Sequence, residues 1–98
     1  MKIVSKRNGS TMEIALDGRL DTTTAPELEK EVRGKLAGIT ELVFDFSEVE
    51  YVSSAGLRIM MLAKKELKAG GIMKVRNANE LILEVFEVTG FSDVVTIE

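Results

Sequence analysis

The feature that most constrains this chain is a short, unbroken apolar run, Leu42-Val43-Phe44, near its middle. Segments with helical periodicity stand on both sides of this run, at 24–38 and 54–69. A strand that is apolar on both faces is typical of the centre of a parallel sheet, where helices cover both faces. The run therefore predicts an α/β fold, with a central strand that is covered on both faces and a sheet that helices flank.

The remaining patterns predict the order strand, strand, helix, strand, helix, strand, helix, strand. Asn8-Gly9 favours a type I′ turn, because both residues tolerate positive φ. It therefore predicts an opening hairpin. The other predicted strands are 72–75 and 94–97, and the last helix is 80–89 with Asn79 as its cap. We expect a mixed, mostly parallel sheet with an N-terminal hairpin at its edge and helices packed against it. With 98 residues, the chain is expected to form one domain, 1–98.

Two local patterns indicate how the first two helices begin and pack. Thr24 and Glu27 have the spacing of a capping box, in which each side chain bonds the backbone amide of the other residue. In the second helix an apolar stripe is expected to face the sheet, and its members are Gly56, Met60, Ala63 and Leu67.

The composition excludes most familiar catalytic sites. The chain has no cysteine and no histidine, so disulfides, thiol nucleophiles, Cys/His zinc sites and Ser-His-Asp arrangements cannot form. A carboxylate-bound magnesium stays open, but we expect no enzyme activity, no cofactor and no metal. The net charge is −3 and the basic residues are scattered, which argues against nucleic acid as a partner. No segment has the length of a signal peptide or a membrane span, so a cytoplasmic protein is expected.

Two motifs resemble those of one family. The stretch 52–57, Val-Ser-Ser-Ala-Gly-Leu, resembles the signature loop of the STAS family, the anti-sigma-factor antagonists and their relatives. The stretch 16–21, Leu-Asp-Gly-Arg-Leu-Asp, and the helix after it are similar to the family's Gly-Glu-Leu-Asp segment and its following helix. The closing segment 83–95 is also similar to the family's last helix and strand, so the resemblance covers nearly the whole chain.

The resemblance implies a phosphorylation switch. An anti-sigma factor that is itself a serine kinase would phosphorylate Ser54, and a serine phosphatase would restore it. In its unphosphorylated form the protein would bind the anti-sigma factor and so release sigma factor for transcription. At the predicted start of a helix, a phosphate would be stabilised by the positive end of the helix dipole. We expect a monomer, since the candidate surface is better matched to a different partner.

The candidate switch loop and partner surface contain eight residues, which are Asp21, Ser53, Ser54, Ala55, Gly56, Leu57, Arg58 and Met61. Ser53 stands where the family's phosphorylated members carry Asp; it is either the helix cap, which we favour, or a competing acceptor. Asp21 either has a role at the site, where it positions Ser54 or contacts the partner, or is a turn aspartate. Gly56 allows close approach of a partner or of the sheet. Met61 is an apolar residue on a charged helix face, which is typical of partner surfaces.

Two other functions stay open. The first is a STAS regulatory subunit of a transporter or stress-signalling complex in which Ser54 is never phosphorylated, and Ser53 in place of Asp favours it. The second is a small hydrolase or nucleotide-binding enzyme. The chain lacks a G-x-S-x-G elbow, an S-x-x-K pair and a P-loop, which argues against that second function.

Overall fold

A five-stranded mixed sheet and three α-helices make up the computed structural model, which describes residues 1–98. The strands stand in chain order, with β1 antiparallel to β2 and the other neighbours parallel. The predicted sheet with its hairpin edge is confirmed. The predicted type I′ turn at Asn8-Gly9 is wrong by one residue, because Asn8 pairs with Thr11, the loop is Gly9-Ser10, and Gly9 is its one residue with positive φ. The strands are β1 (Lys2–Asn8), β2 (Thr11–Leu20), β3 (Glu41–Val52), β4 (Ile72–Arg76) and β5 (Thr96–Ile97). The helices are α1 (Ala25–Val32), α2 (Ser54–Glu66) and α3 (Glu80–Thr89).

All three helices pack on one face of the sheet, so the prediction that both faces of the central strand are covered by helices is wrong. Leu42 and Phe44 belong to one hydrophobic core with buried residues of every helix. Val43 points to the opposite face, where the strand register places it beside Glu13 and Lys74. Crossovers of one hand through consecutive neighbouring strands place their helices on the same side.

The face of the sheet opposite the helices is not covered by a second layer of helices. Ion pairs between side chains lie across it instead. They link side chains of β2, β3 and β4 and of the chain end, and they are Lys74–Glu41, Lys74–Glu98, Arg76–Glu13 and Arg76–Glu98, at 3.3–3.7 Å. Val43 is nevertheless only 1% exposed. Long charged side chains can bury apolar surface under their aliphatic stems, which explains how an apolar residue is tolerated here.

The central strand is much longer than its apolar run. β3 continues to Val52, so residues 45–52 are strand and do not form a linker before α2. Ser47 and Glu48 are both exposed and interrupt the alternation. Two register shifts in the β2–β3 pairing, each with one additional residue on β3, then bring Leu20 level with Val52. As a result β2 and β3 end together at one edge of the sheet.

The first two helices are shorter than predicted at their carboxyl ends, whereas α3 has the predicted bounds. α1 ends at Val32 and α2 at Glu66, against predicted ends near 38 and 69. Arg33 is extended, at φ −63° and ψ 121°, and Gly34 has φ +72°, so the backbone leaves the helix there. The closing strand is also shorter, Thr96–Ile97, because the amides of Val94 and Val95 donate to the Phe91 carbonyl and belong to the preceding turn. No helix has the length and apolarity needed to cross a membrane.

Candidate functional site

The loop after β2 and the start of α2 meet at the carboxyl edge of the parallel strands. The Ser53 amide donates to the Leu20 carbonyl over 2.8 Å, which continues the β2–β3 pairing into the site. Asp21 follows Leu20 directly, so its loop lies beside the two serines. Sites in α/β sheets collect at this edge. The sequence motifs at 16–21 and 52–57 are therefore adjacent in space.

Ser53 is the N-cap of α2, as we expected. Its backbone is extended, at φ −92° and ψ 174°, and its hydroxyl oxygen accepts a hydrogen bond from the Gly56 amide at 3.4 Å. The Leu57 amide donates to the Ser53 carbonyl at 3.0 Å. Ser54 is the first residue of the helix and is exposed. Ser53 therefore caps the helix, and the side chain of Ser54 takes no part in the cap.

A Ser53→Ala variant is expected to lose about 1 kcal/mol of unfolding free energy, because the Gly56 amide loses its acceptor. Ser54→Ala is the matched control, and its unfolding free energy should stay within about 0.5 kcal/mol of wild type. Urea unfolding of the three proteins measures both differences. Equal losses in the two variants would contradict the assignment of the cap to Ser53.

The start of α2 favours an anion. The first turn contains no acidic residue, and the basic residues Lys64 and Lys65 lie in the last turn. The positive end of the helix dipole is therefore not neutralised by a side chain of its own helix. Arg58 is exposed one turn after Ser54, at the i, i+4 spacing at which helix side chains interact. A negative group on Ser54 would be stabilised by both features.

Gly56 is required for helix packing against the sheet. It is buried, and a Cβ atom there would lie 2.6 Å from the Leu20 Cγ and 3.1 Å from the Leu20 carbonyl oxygen. Leu20 is itself fully buried. Of the two roles considered for Gly56, the structure supports close approach to the sheet. The other members of the predicted stripe, Met60, Ala63 and Leu67, are buried as expected.

Asp21 organises its own loop. Its Oδ1 accepts hydrogen bonds from the amides of Thr23 and Thr24, at 3.0 and 3.1 Å, and its Oδ2 lies 3.8 Å from the Arg19 Nε. Donation by the Thr24 amide, with that of Thr23, lowers the pKa of Asp21, and this outweighs its partial desolvation. These bonds favour the turn-aspartate interpretation over a direct role in positioning Ser54.

The capping box predicted for α1 does not form. Thr24 is the N-cap position, but its hydroxyl makes no capping bond. That hydroxyl donates to the Arg19 carbonyl at 2.6 Å and accepts from the Asp21 amide at 2.9 Å. The side chain is thus drawn back into the loop that Asp21 orders. A local spacing rule could not anticipate this, because the competing carbonyl comes from the end of β2.

The pKa of Asp21 predicts how the loop responds to acid. Because the folded-state pKa lies below the unfolded one, the unfolded chain takes up this proton first. The contribution of Asp21 to stability is therefore complete above the ordinary aspartate pKa and is lost as the pH falls through the lowered folded value. A carboxyl-carbon NMR titration should give a lower midpoint for Asp21 in the folded protein than in the urea-unfolded chain. An equal or higher midpoint in the folded protein would refute this.

A groove of about 520 Å³ runs between α1 and α2 and reaches the residues after α3. Its lining includes three of the predicted surface residues, Leu57, Arg58 and Met61, and seven that sequence analysis did not single out for the site. Those seven are Glu29, Arg33, Ile59, Leu62, Lys65, Thr89 and Phe91. The Arg33 Nη2 and the Glu29 Oε2 lie 2.6 Å apart, so this cation is already paired. The i, i+4 spacing of that pair was the signal available in the sequence.

The predicted residues therefore fall into three neighbouring positions. Ser53 and Ser54 lie at the start of α2, Asp21 lies in the adjoining loop, and Arg58 and Met61 line the groove further along the helix. Met61 is half-buried. No group of three or more acidic side chains has the arrangement of a metal site. The geometry is that of an exposed hydroxyl beside a partly apolar, partly basic surface.

Comparison with known proteins places this arrangement in a family. The profile described as "Mlab, STAS domain" matches residues 3–96. The anti-sigma-B factor antagonist of Listeria monocytogenes is 30% identical over 98 residues, which cover 97% of this chain and 85% of that protein. The anti-sigma-B factor antagonist of Bacillus subtilis is 27% identical over 94% of this chain and 85% of its own length.

The fold agrees with solved structures. An anti-sigma factor antagonist from Mycobacterium paratuberculosis superposes with a TM-score of 0.85 at 23% identity, over 98% of this chain and 83% of that one. The profile match over nearly the whole chain and the 30% identical relative show that this chain belongs to the STAS domain family.

Proposed function

We propose that this chain is an anti-sigma-factor antagonist that is switched by phosphorylation of Ser54. Unphosphorylated, it binds an anti-sigma factor that has serine kinase activity, and that binding releases sigma factor. Phosphorylation of Ser54 ends the binding, and a serine phosphatase restores it. The names of the curated relatives support this function. So does the fold shared with SpoIIAA, which has been solved in its unphosphorylated and phosphorylated forms, at TM-scores of 0.78 and 0.76.

The observation that carries the proposal is the division of roles between the two serines. Ser53 supplies the capping oxygen, and Ser54 is exposed at the first helical position. Modification of Ser54 therefore removes no bond of the cap. A kinase can reach this hydroxyl without unfolding α2, and the same position in the sequence is the one that the family motif implies.

A phosphate on Ser54 should leave the fold intact. The dipole at the start of α2 stabilises a nearby anion by about 0.3–1 kcal/mol per charge at an exposed site. Arg58 offers a cation one turn along the same helix face. The effect of the modification is then exerted on the partner, because a group of about −1.5 to −2 charges is costly in a desolvated contact that does not pair it.

The partner surface that we propose extends from Ser54 along α2 into the groove beside α1. Leu57, Met61 and Leu62 provide its apolar part, and Arg58 and Lys65 provide a basic rim. Methionine adapts to irregular partner surfaces, and rim charges orient the approaching partner. We therefore expect the contacting segment of the anti-sigma factor to be apolar with acidic flanks.

This function needs no catalysis by the chain itself, no cofactor and no nucleic acid. We assign the protein to the cytoplasm, where bacterial sigma factors act, and infer that residues 1–98 work as one monomeric STAS domain. The scattered basic residues and the net charge of −3 fit a partner that is a protein rather than a nucleic acid.

The test is intact-mass and phosphopeptide analysis of the protein from its native cells, under conditions that change sigma-factor activity. Wild type is expected to carry one phosphoryl group on Ser54, and Ser54→Ala none. Ser53→Ala is the matched control and should still be phosphorylated at Ser54. Phosphate on Ser53 would move the switch to the neighbouring residue and overturn the assignment.

A second function is favoured by one observation. Ser53 occupies the position at which phosphorylated members of the family carry Asp, and a subunit that is never phosphorylated needs no kinase recognition there. In that case wild type and Ser54→Ala would both lack phosphate and would bind the same partners. This result would replace the switch with a constitutive subunit of a transporter or stress-signalling complex.

A further inference from the structure

The outward face of α3 is an apolar stripe whose two ends, Leu81 and Val88, nothing in this chain covers. Leu81, Val85 and Val88 follow one another at i, i+4 and i+7, so they lie on one side of the helix. Leu81 is 51% exposed and Val88 is 80% exposed. Ile82 and Phe86 face the core on the other side. The helix thus has two neighbouring apolar faces, and burial in the core accounts for one of them and for part of Val85, which lies between the two.

The rim of this stripe is acidic. Glu80, Glu84 and Glu87 belong to the same ten-residue helix, which has no lysine or arginine. Several other glutamates of the chain are paired with basic side chains, as Glu13 is with Arg76 and Glu29 with Arg33. The three on α3 take part in none of the ion pairs of the structure. Their negative field is therefore available to a partner.

We propose that the stripe Leu81, Val85 and Val88, with its three glutamates, is a docking site for a basic amphipathic helix of a partner protein. The stripe spans about 10 Å along α3, or two helical turns, which is the length over which an anchoring helix places residues at i, i+4 and i+7. Lysine or arginine on one flank of that helix would face the glutamates, which all lie on one side of the stripe, while its apolar residues cover Val88 and Leu81.

The negative charge beside the stripe favours a basic helix over two other occupants, a second copy of this chain and an anionic lipid surface. Two copies of α3 packed face to face would bring six glutamates together with no cation to offset them. An anionic lipid surface would likewise be repelled by the three glutamates. The docking site is distinct from the groove beside Ser54, because the only residue that lines both is Thr89. The inference therefore does not depend on the switch.

The test is an NMR titration of the labelled full chain with a synthetic peptide of about 18 residues, five helical turns, with leucine at i, i+3, i+4 and i+7 and lysine elsewhere. The amide signals of residues 80–89 are expected to shift. Val88→Gln and Leu81→Gln should weaken binding about tenfold or more, because each removes an apolar contact without adding a charge that would attract the lysines.

Val4→Gln is the matched control, because Val4 is also half exposed but lies on edge strand β1. It should change the affinity by less than about twofold. Ser54→Glu should also leave peptide binding unchanged, which separates this site from the switch. Thermal unfolding of each variant verifies that it is folded.

Three results would overturn the proposal. The first is peptide-induced shifts on α2 in place of α3. The second is equal binding of a peptide with glutamate in place of every lysine. The third is that the chain binds vesicles rich in anionic lipid, or dimerises as its concentration rises, and that Val88→Gln abolishes this binding or dimerisation.

Discussion

Replacing Gly56 by alanine is expected to lower the unfolding free energy by about 2 kcal/mol, even though alanine is the better helix former. The added methyl group would lie 2.6 Å from the Leu20 Cγ, and Leu20 is 0% exposed, so it has no free space to move into. Overpacking of this kind outweighs the roughly 1 kcal/mol that alanine gains over glycine in a helix interior. Urea unfolding of wild type and variant measures the difference.

A double-mutant cycle identifies the clash. Leu20→Ala alone should cost about 2–5 kcal/mol, because it leaves a cavity in the core. In that background the Cβ of Gly56→Ala occupies the emptied space, and the further cost should fall to within about 0.5 kcal/mol of zero. The same cost in both backgrounds would show that the Leu20 side chain is not the obstacle. It would leave the Leu20 carbonyl oxygen, at 3.1 Å, as the obstacle instead.

Phosphoserine at position 54 is expected to weaken binding of the cognate anti-sigma factor about a hundredfold or more, with no loss of fold stability. An uncompensated charge in a desolvated contact costs about 3 kcal/mol or more, which corresponds to that factor. Calorimetry with the phosphorylated and unphosphorylated chains measures the affinity. Thermal unfolding of the free chains should show an equal or slightly higher midpoint for the phosphorylated one, because the anion lies at the start of α2.

Ser10 provides a control of equal charge. It is exposed and precedes β2, whereas Leu20 ends that strand beside the switch loop, so phosphate at Ser10 lies roughly 30 Å away along the strand. Phosphoserine there should leave binding within about twofold of wild type, since exposed charges at this distance are screened. Equal weakening by both modifications would mean that net charge, and not the position of Ser54, controls the interaction.

Much of the site was predictable because its signals are local. Ser53 is a good N-cap residue before an apolar stripe, so the start of α2 and the exposure of Ser54 follow from neighbours within one turn. The opening hairpin and the order of strands and helices depend on similarly short-range patterns. Parallel pairing then brings Asp21 close to the serines, because the ends of β2 and β3 fall at one edge.

The errors have two causes. The end of α1 at Val32, before Gly34 with its positive φ, and the bond from Thr24 to the Arg19 carbonyl five residues away are local features that capping and periodicity rules do not weigh. The length of β3 depends instead on pairing with a distant strand. Judged by local propensity alone, a polar pair such as Ser47-Glu48 is expected to end a strand. Pairing with β2 nevertheless continues β3 to Val52. Rules based on the local sequence do not take into account which strand pairs with a segment.

The sequence by itself thus determined the class of fold, the order of elements, the cap at Ser53 and the family. Only the tertiary structure decided that all helices share one face, that Gly56 touches Leu20, and that α1 completes the groove beside Met61. It also left the two ends of the α3 stripe, Leu81 and Val88, uncovered. The physical reason is range: capping and periodicity act within a few residues, whereas packing depends on side chains that meet only after the sheet has formed.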